Sequence, residues 1–91
     1  MIALVKVLDV VSLGRGRLRL RFSDGQEGVR DLSDLLAEGG TMVAPLRDPA
    51  LFDRVFLQSG VVTWPNGFDL DPIALHREMD AAGLLTPPLA A

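Results

Sequence analysis

Ninety-one residues, 48% of them hydrophobic and 23% charged, suit one ordinary globular domain and exclude a disordered or low-complexity chain. At this length about 60% of the unfolded surface is buried, which is enough for one core and not for two. The formal charge of −3 argues against binding nucleic acid through bulk charge, and the lack of cysteine excludes a disulfide framework, a thiolate metal site and a cysteine nucleophile.

The opening stretch MIALVKVLDVV is apolar but is interrupted by Lys6 and Asp9, with neither a basic start nor a small-residue cleavage site, so no signal peptide is expected. No apolar run approaches the roughly 18 residues of a membrane span. The expected location is the cytoplasm, away from membranes. Charge is unevenly spread along the chain. Residues 1–30 carry six cations against three acids, a net of +3, and residues 31–91 carry three against nine, a net of −6.

LVKVLDVVSL is rich in β-branched residues and RLRLRF alternates strictly, so both read as strands. Gly14-Arg15-Gly16 between them suits a three-residue hairpin loop. Centring that loop on Arg15 sets Asp9 opposite Arg21 and gives an apolar face of Leu8, Val10, Leu18, Leu20 and Phe22. Asp24-Gly25 turns the chain into a short third strand near Glu27 to Asp31.

DLSDLLAEGG reads as a short helix, capped by Asp31 or Ser33, buried through Leu32, Leu35 and Leu36, and ended by Gly39 in the left-handed conformation. Asp48-Pro49 opens a single helical turn with Leu51 and Phe52 inward. RVFLQ and VVTW flank Ser59-Gly60 as a hairpin that places Val55, Leu57, Val62 and Trp64 on one face. Pro65 cannot donate to a ladder, so the strand is expected to stop after Trp64, with Pro65-Asn66-Gly67 as a tight turn. Asp71-Pro72 starts the last helix, whose inner side is Leu75, Met79 and Ala82. Gly83 ends it, and Leu84 folds back onto Met79. The order βββ-α-ββ-α implies a two-layer α+β domain over residues 1–83, with an antiparallel sheet of about five strands and helices on one face, followed by a flexible tail at 84–91.

Chemistry-bearing motifs are scarce. Gly14-Arg15-Gly16 is no dinucleotide fingerprint, because Arg19 stands where the third glycine belongs and a strand follows. His76 is the only histidine and there is no tyrosine, so no nucleophile–base pair and no metal set can be assembled, and the chain is expected not to be an enzyme. Asn66, Asp69 and Asp71 lack the spacing of a calcium loop and have turn or capping duties, so neither metal nor cofactor is expected. Arg17, Arg19 and Arg21 share one strand face, where their stems can cover Val5, Val7 and Val11 as a solvated surface. The other use of that face is an acidic partner or nucleic acid, though few aromatics are present for base stacking. Trp64, ending a core strand, is expected to be buried; exposed with Pro65, it would be an interaction hot spot.

Asp24-Gly25, Asp31 to Leu36, Pro45 to Phe52 and the closing Trp64 to Pro72 (WPNGFDLDP) together resemble the bacterial family known as domain of unknown function 2442. The resemblance covers about residues 3–80 and is most specific in WPNGFDLDP. His76 departs from it, since an aromatic often stands there. It implies a small antiparallel α+β domain and no established activity or cofactor. It also implies a setting beside a helix-turn-helix domain, or beside a second small gene in a toxin–antitoxin-like or regulatory pair. The resulting expectation is a non-enzymatic module that binds an unidentified protein partner, with Trp64, Pro65, Asn66, Asp69, Arg17, Arg19 and Arg21 as candidate contacts. The complementary charge of the two halves also allows a homodimer. The alternative is a DNA-associated regulator working through the arginine face.

Overall fold

The alternation in RLRLRF builds the first sheet. In the computed structural model, which describes residues 4–87, β1 (Val7–Gly14), β2 (Arg17–Phe22) and β3 (Glu27–Asp31) pair antiparallel in that order. Asp9 lies opposite Arg21 and Val10 opposite Leu20, as the turn predicts. The turn is tighter than the expected loop. Gly14 pairs with Arg17, leaving Arg15 and Gly16 as its two central residues with φ of +56° and +76°. Two central residues with positive φ match the right-handed twist of the flanking strands.

Leu18, Leu20 and Phe22 point into the core and are fully buried, each worth roughly 1.5–3 kcal/mol of transfer from water. β1 breaks the alternation. A bulge between Val7 and Asp9 inserts Leu8, so Val7 is buried opposite Phe22 and Leu8 is 51% exposed, not on the apolar face as expected. One extra residue reverses the side that a strand presents. For the same reason Val7 is not beneath the arginine stems. Val5 packs against the core, and Val11 remains 46% exposed.

Asp31 closes β3 and opens α1 (Ser33–Glu38), its Oδ1 accepting from the Ser33 N–H at 2.8 Å. Leu32 is buried, with Leu35 and Leu36 packed against the core. Gly39 is extended, with φ −63° and ψ 153°, not left-handed. It is needed for closeness instead, because a Cβ there would collide with the Val43 side chain. A 3-10 turn over Ala44–Arg47 follows. Asp48 caps α2 (Pro49–Phe52), its Oδ1 accepting from the Ala50 N–H at 3.0 Å.

β4 (Phe56–Gln58) and β5 (Val61–Thr63) form the hairpin around Ser59-Gly60, with Leu57 opposite Val62. Val55 and Trp64 lie just beyond this ladder, both against the core. The chain does not pass directly into the helix. Asp69–Leu70 is a further strand, β6, pairing antiparallel with Val62 and Thr63. The expected single sheet of five strands is therefore two sheets of three. The tip of the β4–β5 hairpin meets β1 through the Val7 N–H, which donates to the Gly60 carbonyl at 2.9 Å, but no ladder joins the two sheets.

α3 (Pro72–Ala81) starts at Asp71, whose Oδ1 accepts from the Ile73 N–H at 3.0 Å. Leu75 and Met79 are buried, whereas Ala82 is exposed beyond the helix end. Gly83 has φ +71°, and the Leu84 N–H returns to the Met79 carbonyl at 2.8 Å. α3 sits so close to the sheet that a Cβ on Gly28 would lie 3.1 Å from Met79 Cε. One core unites Val7, Leu18, Leu20, Phe22, Val62, Trp64, Leu75 and Met79. Thr86 is not loose: it exchanges both backbone bonds with Glu27, at 2.8 and 3.1 Å. Residues 88–91 of the expected tail, like residues 1–3, lie outside the described residues. No described helix is long and apolar enough to cross a membrane.

Candidate interaction surface

The outer face of the first sheet follows from β2. Register sets Arg21 between Asp9 and Glu27, Arg19 between Val11 and Val29, and Arg17 between Gly14 and Asp31. Three arginines thus share the face with three carboxylates in neighbouring register positions, and the formal charges of these six residues balance. Arg19 Nη2 also reaches diagonally to Glu27 Oε1 at 3.7 Å, with both side chains well exposed, a contact worth at most about 1 kcal/mol. Leu8, Val11, Leu13 and Val29 are exposed on or beside this face, all between 39 and 51%. The Ser33 hydroxyl and then its N–H hold the Asp31 carboxyl below the ordinary aspartate range, with Arg17 and Arg30 adding to the effect and slight desolvation opposing it.

The corner WPNGFDLDP is assembled differently. Trp64 is fully buried, its Nε1–H donating to the Phe52 carbonyl at 2.9 Å and its ring 5.8 Å from those of Phe52 and Phe68. That burial removes it from any exposed platform with Pro65, which does face solvent. The Gly67 N–H donates to the Trp64 carbonyl at 2.9 Å and closes the turn. Asn66 works twice, donating from Nδ2 to the Met42 carbonyl at 2.8 Å and accepting at Oδ1 from the Phe68 N–H at 3.2 Å. Asp69 is exposed on β6 opposite Thr63. The structure therefore does not join the corner residues to Arg17, Arg19 and Arg21 in one site.

His76, the only histidine, has partners. Its Nε2 lies 2.7 Å from Asp24 Oδ2, and its ring meets Phe22 edge-on at 5.0 Å. Arg30 Nη2 reaches Glu78 Oε2 at 3.5 Å, so two polar links fasten α3 to the first sheet. The separation of 52 positions between Asp24 and His76 explains why no spacing rule could find that pair. Among the described residues no hydroxyl is hydrogen-bonded to the imidazole, and no three His, Asp or Glu side chains converge as metal ligands.

These elements define a small α+β domain with two three-stranded antiparallel sheets on a shared core and one sheet face left open to solvent. No curated protein and no solved structure matches the chain. It belongs to the family described as Protein of unknown function (DUF2442), whose profile matches residues 7–80, from the start of β1 into α3.

Proposed function

We propose that this chain is a non-enzymatic protein-binding module whose partner docks on the outer face of β1, β2 and β3. The observation that carries the reading is the composition of that face, where exposed Val11, Leu13 and Val29 interleave with an acid–arginine lattice of no net charge. Apolar side chains ringed by charges are the mark of a surface built for a partner, and arginine is favoured at such contacts. The same neutrality disfavours a phosphate backbone, which needs uncompensated cations. A regulatory or antitoxin-like role beside a second small protein is the setting that fits this reading.

The test compares capture from the native host by the intact protein and by a Val11→Glu/Val29→Glu variant shown to be folded by circular dichroism. The expected result is one stoichiometric partner, lost with the variant. A partner held equally by both proteins overturns the reading. A salt-sensitive shift of duplex DNA abolished by Arg19→Ala overturns it in favour of a DNA-associated regulator.

A further inference from the structure

The hairpin tip Gly14-Arg15-Gly16, which matches no nucleotide motif, forms one wall of a half-open pocket of about 240 Å³. Leu36, Leu46 and Phe52 line its apolar interior, the last two almost completely buried. An apolar cavity of about 150 Å³ already accommodates benzene, so this one has room for an aromatic ring and a short arm. Two guanidiniums border it. Arg47 is pinned, its Nε donating to the Leu36 carbonyl at 2.6 Å and its Nη2 to the Ala37 carbonyl at 3.2 Å, which leaves Nη1 without a protein partner among the described residues. The Arg15 guanidinium makes no ion pair or hydrogen bond among the described residues. The one acid at the rim, Asp53, is engaged by the Ser12 hydroxyl at 2.6 Å.

Arg15 also sits at φ +56°, a turn position where asparagine, aspartate or glycine is preferred and a longer side chain is strained. Backbone strain held at the mouth of a pocket points to a use for the side chain that a better turn former would lack. We propose that this pocket binds a small carboxylate with an apolar, ring-sized body. The body lies on Leu36, Leu46 and Phe52, and the carboxylate meets Arg15 and the free Nη1 of Arg47. The site is separate from the outer sheet face and does not depend on a protein partner.

The test uses the purified full chain, with Trp64 as reporter because it touches Phe52. Emission is followed during titration with 3-phenylpropionate and with its uncharged amide, and calorimetry gives a second readout. A probe of this size should bind with Kd on the order of 1 mM, and the amide about tenfold more weakly. Arg15→Gly relieves the turn, so it should melt at the same or a higher temperature, yet bind the acid about five- to tenfold more weakly and the amide unchanged. Leu36→Phe, which fills the pocket, should weaken both ligands. Equal affinity for acid and amide, undiminished acid binding by Arg15→Gly, or no saturable binding by roughly 20 mM each overturns the proposal.

Discussion

Trp64→Phe tests whether the corner is built around its indole. The side chain is fully buried, so the substitution acts on packing and on one hydrogen bond, with no solvent-facing part. The lost bond is Nε1–H to the Phe52 carbonyl. That carbonyl keeps a longer bond from the Val55 N–H at 3.3 Å and is not orphaned, which puts the loss near about 1 kcal/mol. Phenylalanine is smaller than tryptophan by roughly 40 Å³, and at about 24 cal/mol per Å³ an unrelaxed void adds about 1 kcal/mol. The sum, about 2 kcal/mol, is a sizeable part of the 5–14 kcal/mol or so expected of a domain this long. It corresponds to a melting point lower by roughly 8–16 °C. Guanidinium unfolding followed by far-ultraviolet circular dichroism is the assay, since the variant has no tryptophan to report. A change below about 0.5 kcal/mol with an unchanged denaturant slope would refute the reasoning, because it would mean that the indole is not packed as described.

In the wild-type protein, Trp64 should emit at short wavelength and resist quenching by iodide and acrylamide; a water-exposed spectrum that shifts to the blue only with a partner would make the corner an interface. Asp71→Ala should cost about 1 kcal/mol by freeing the Ile73 N–H at the start of α3, and an unchanged denaturant midpoint would show that Asp71 serves something else. Because Asp31 titrates lower when folded, its contribution is present above the ordinary aspartate range and is lost as pH falls through the folded value. The stability difference between wild type and Asp31→Asn should therefore be greatest near neutrality and shrink below about pH 4; a difference that grows on acidification has the wrong sign. Elemental analysis should find no stoichiometric transition metal or calcium, and metal lost on Asp69→Asn would contradict the turn-and-cap reading of Asn66, Asp69 and Asp71.

Much of the fold was readable from local rules. The turn at Arg15 sets the register of Asp9 with Arg21, and Asp48-Pro49 and Asp71-Pro72 mark helix starts through caps a residue or two away. What escaped was decided elsewhere. Leu8 is apolar and in phase with Val10, and only the bulge reveals that it faces water. β6 is two residues long, below the length at which alternation carries a signal, and it exists because the closed turn brings Asp69 beside Thr63. For the candidate surface, the period of RLRLRF foretold the arginine face, but its neutralisation by Asp9, Glu27 and Asp31 required knowing both neighbouring strands. The Asp24–His76 link and the pocket beneath Arg15 join distant segments and leave no local trace.

The reciprocal bonds between Glu27 and Thr86 bear on how this domain should be cut for expression. The family profile stops at residue 80, and a clone trimmed to that limit would lose both the Leu84 return to Met79 and the backbone bonds of Thr86. The outer side of β3 would then offer unpaired amide and carbonyl groups beside exposed Val29, the combination through which sheets recruit one another into aggregates. Poor solubility of such a fragment would reflect an uncovered strand edge together with the loss of Leu85, which packs against the core. Extending the fragment through Thr86 keeps that guard in place.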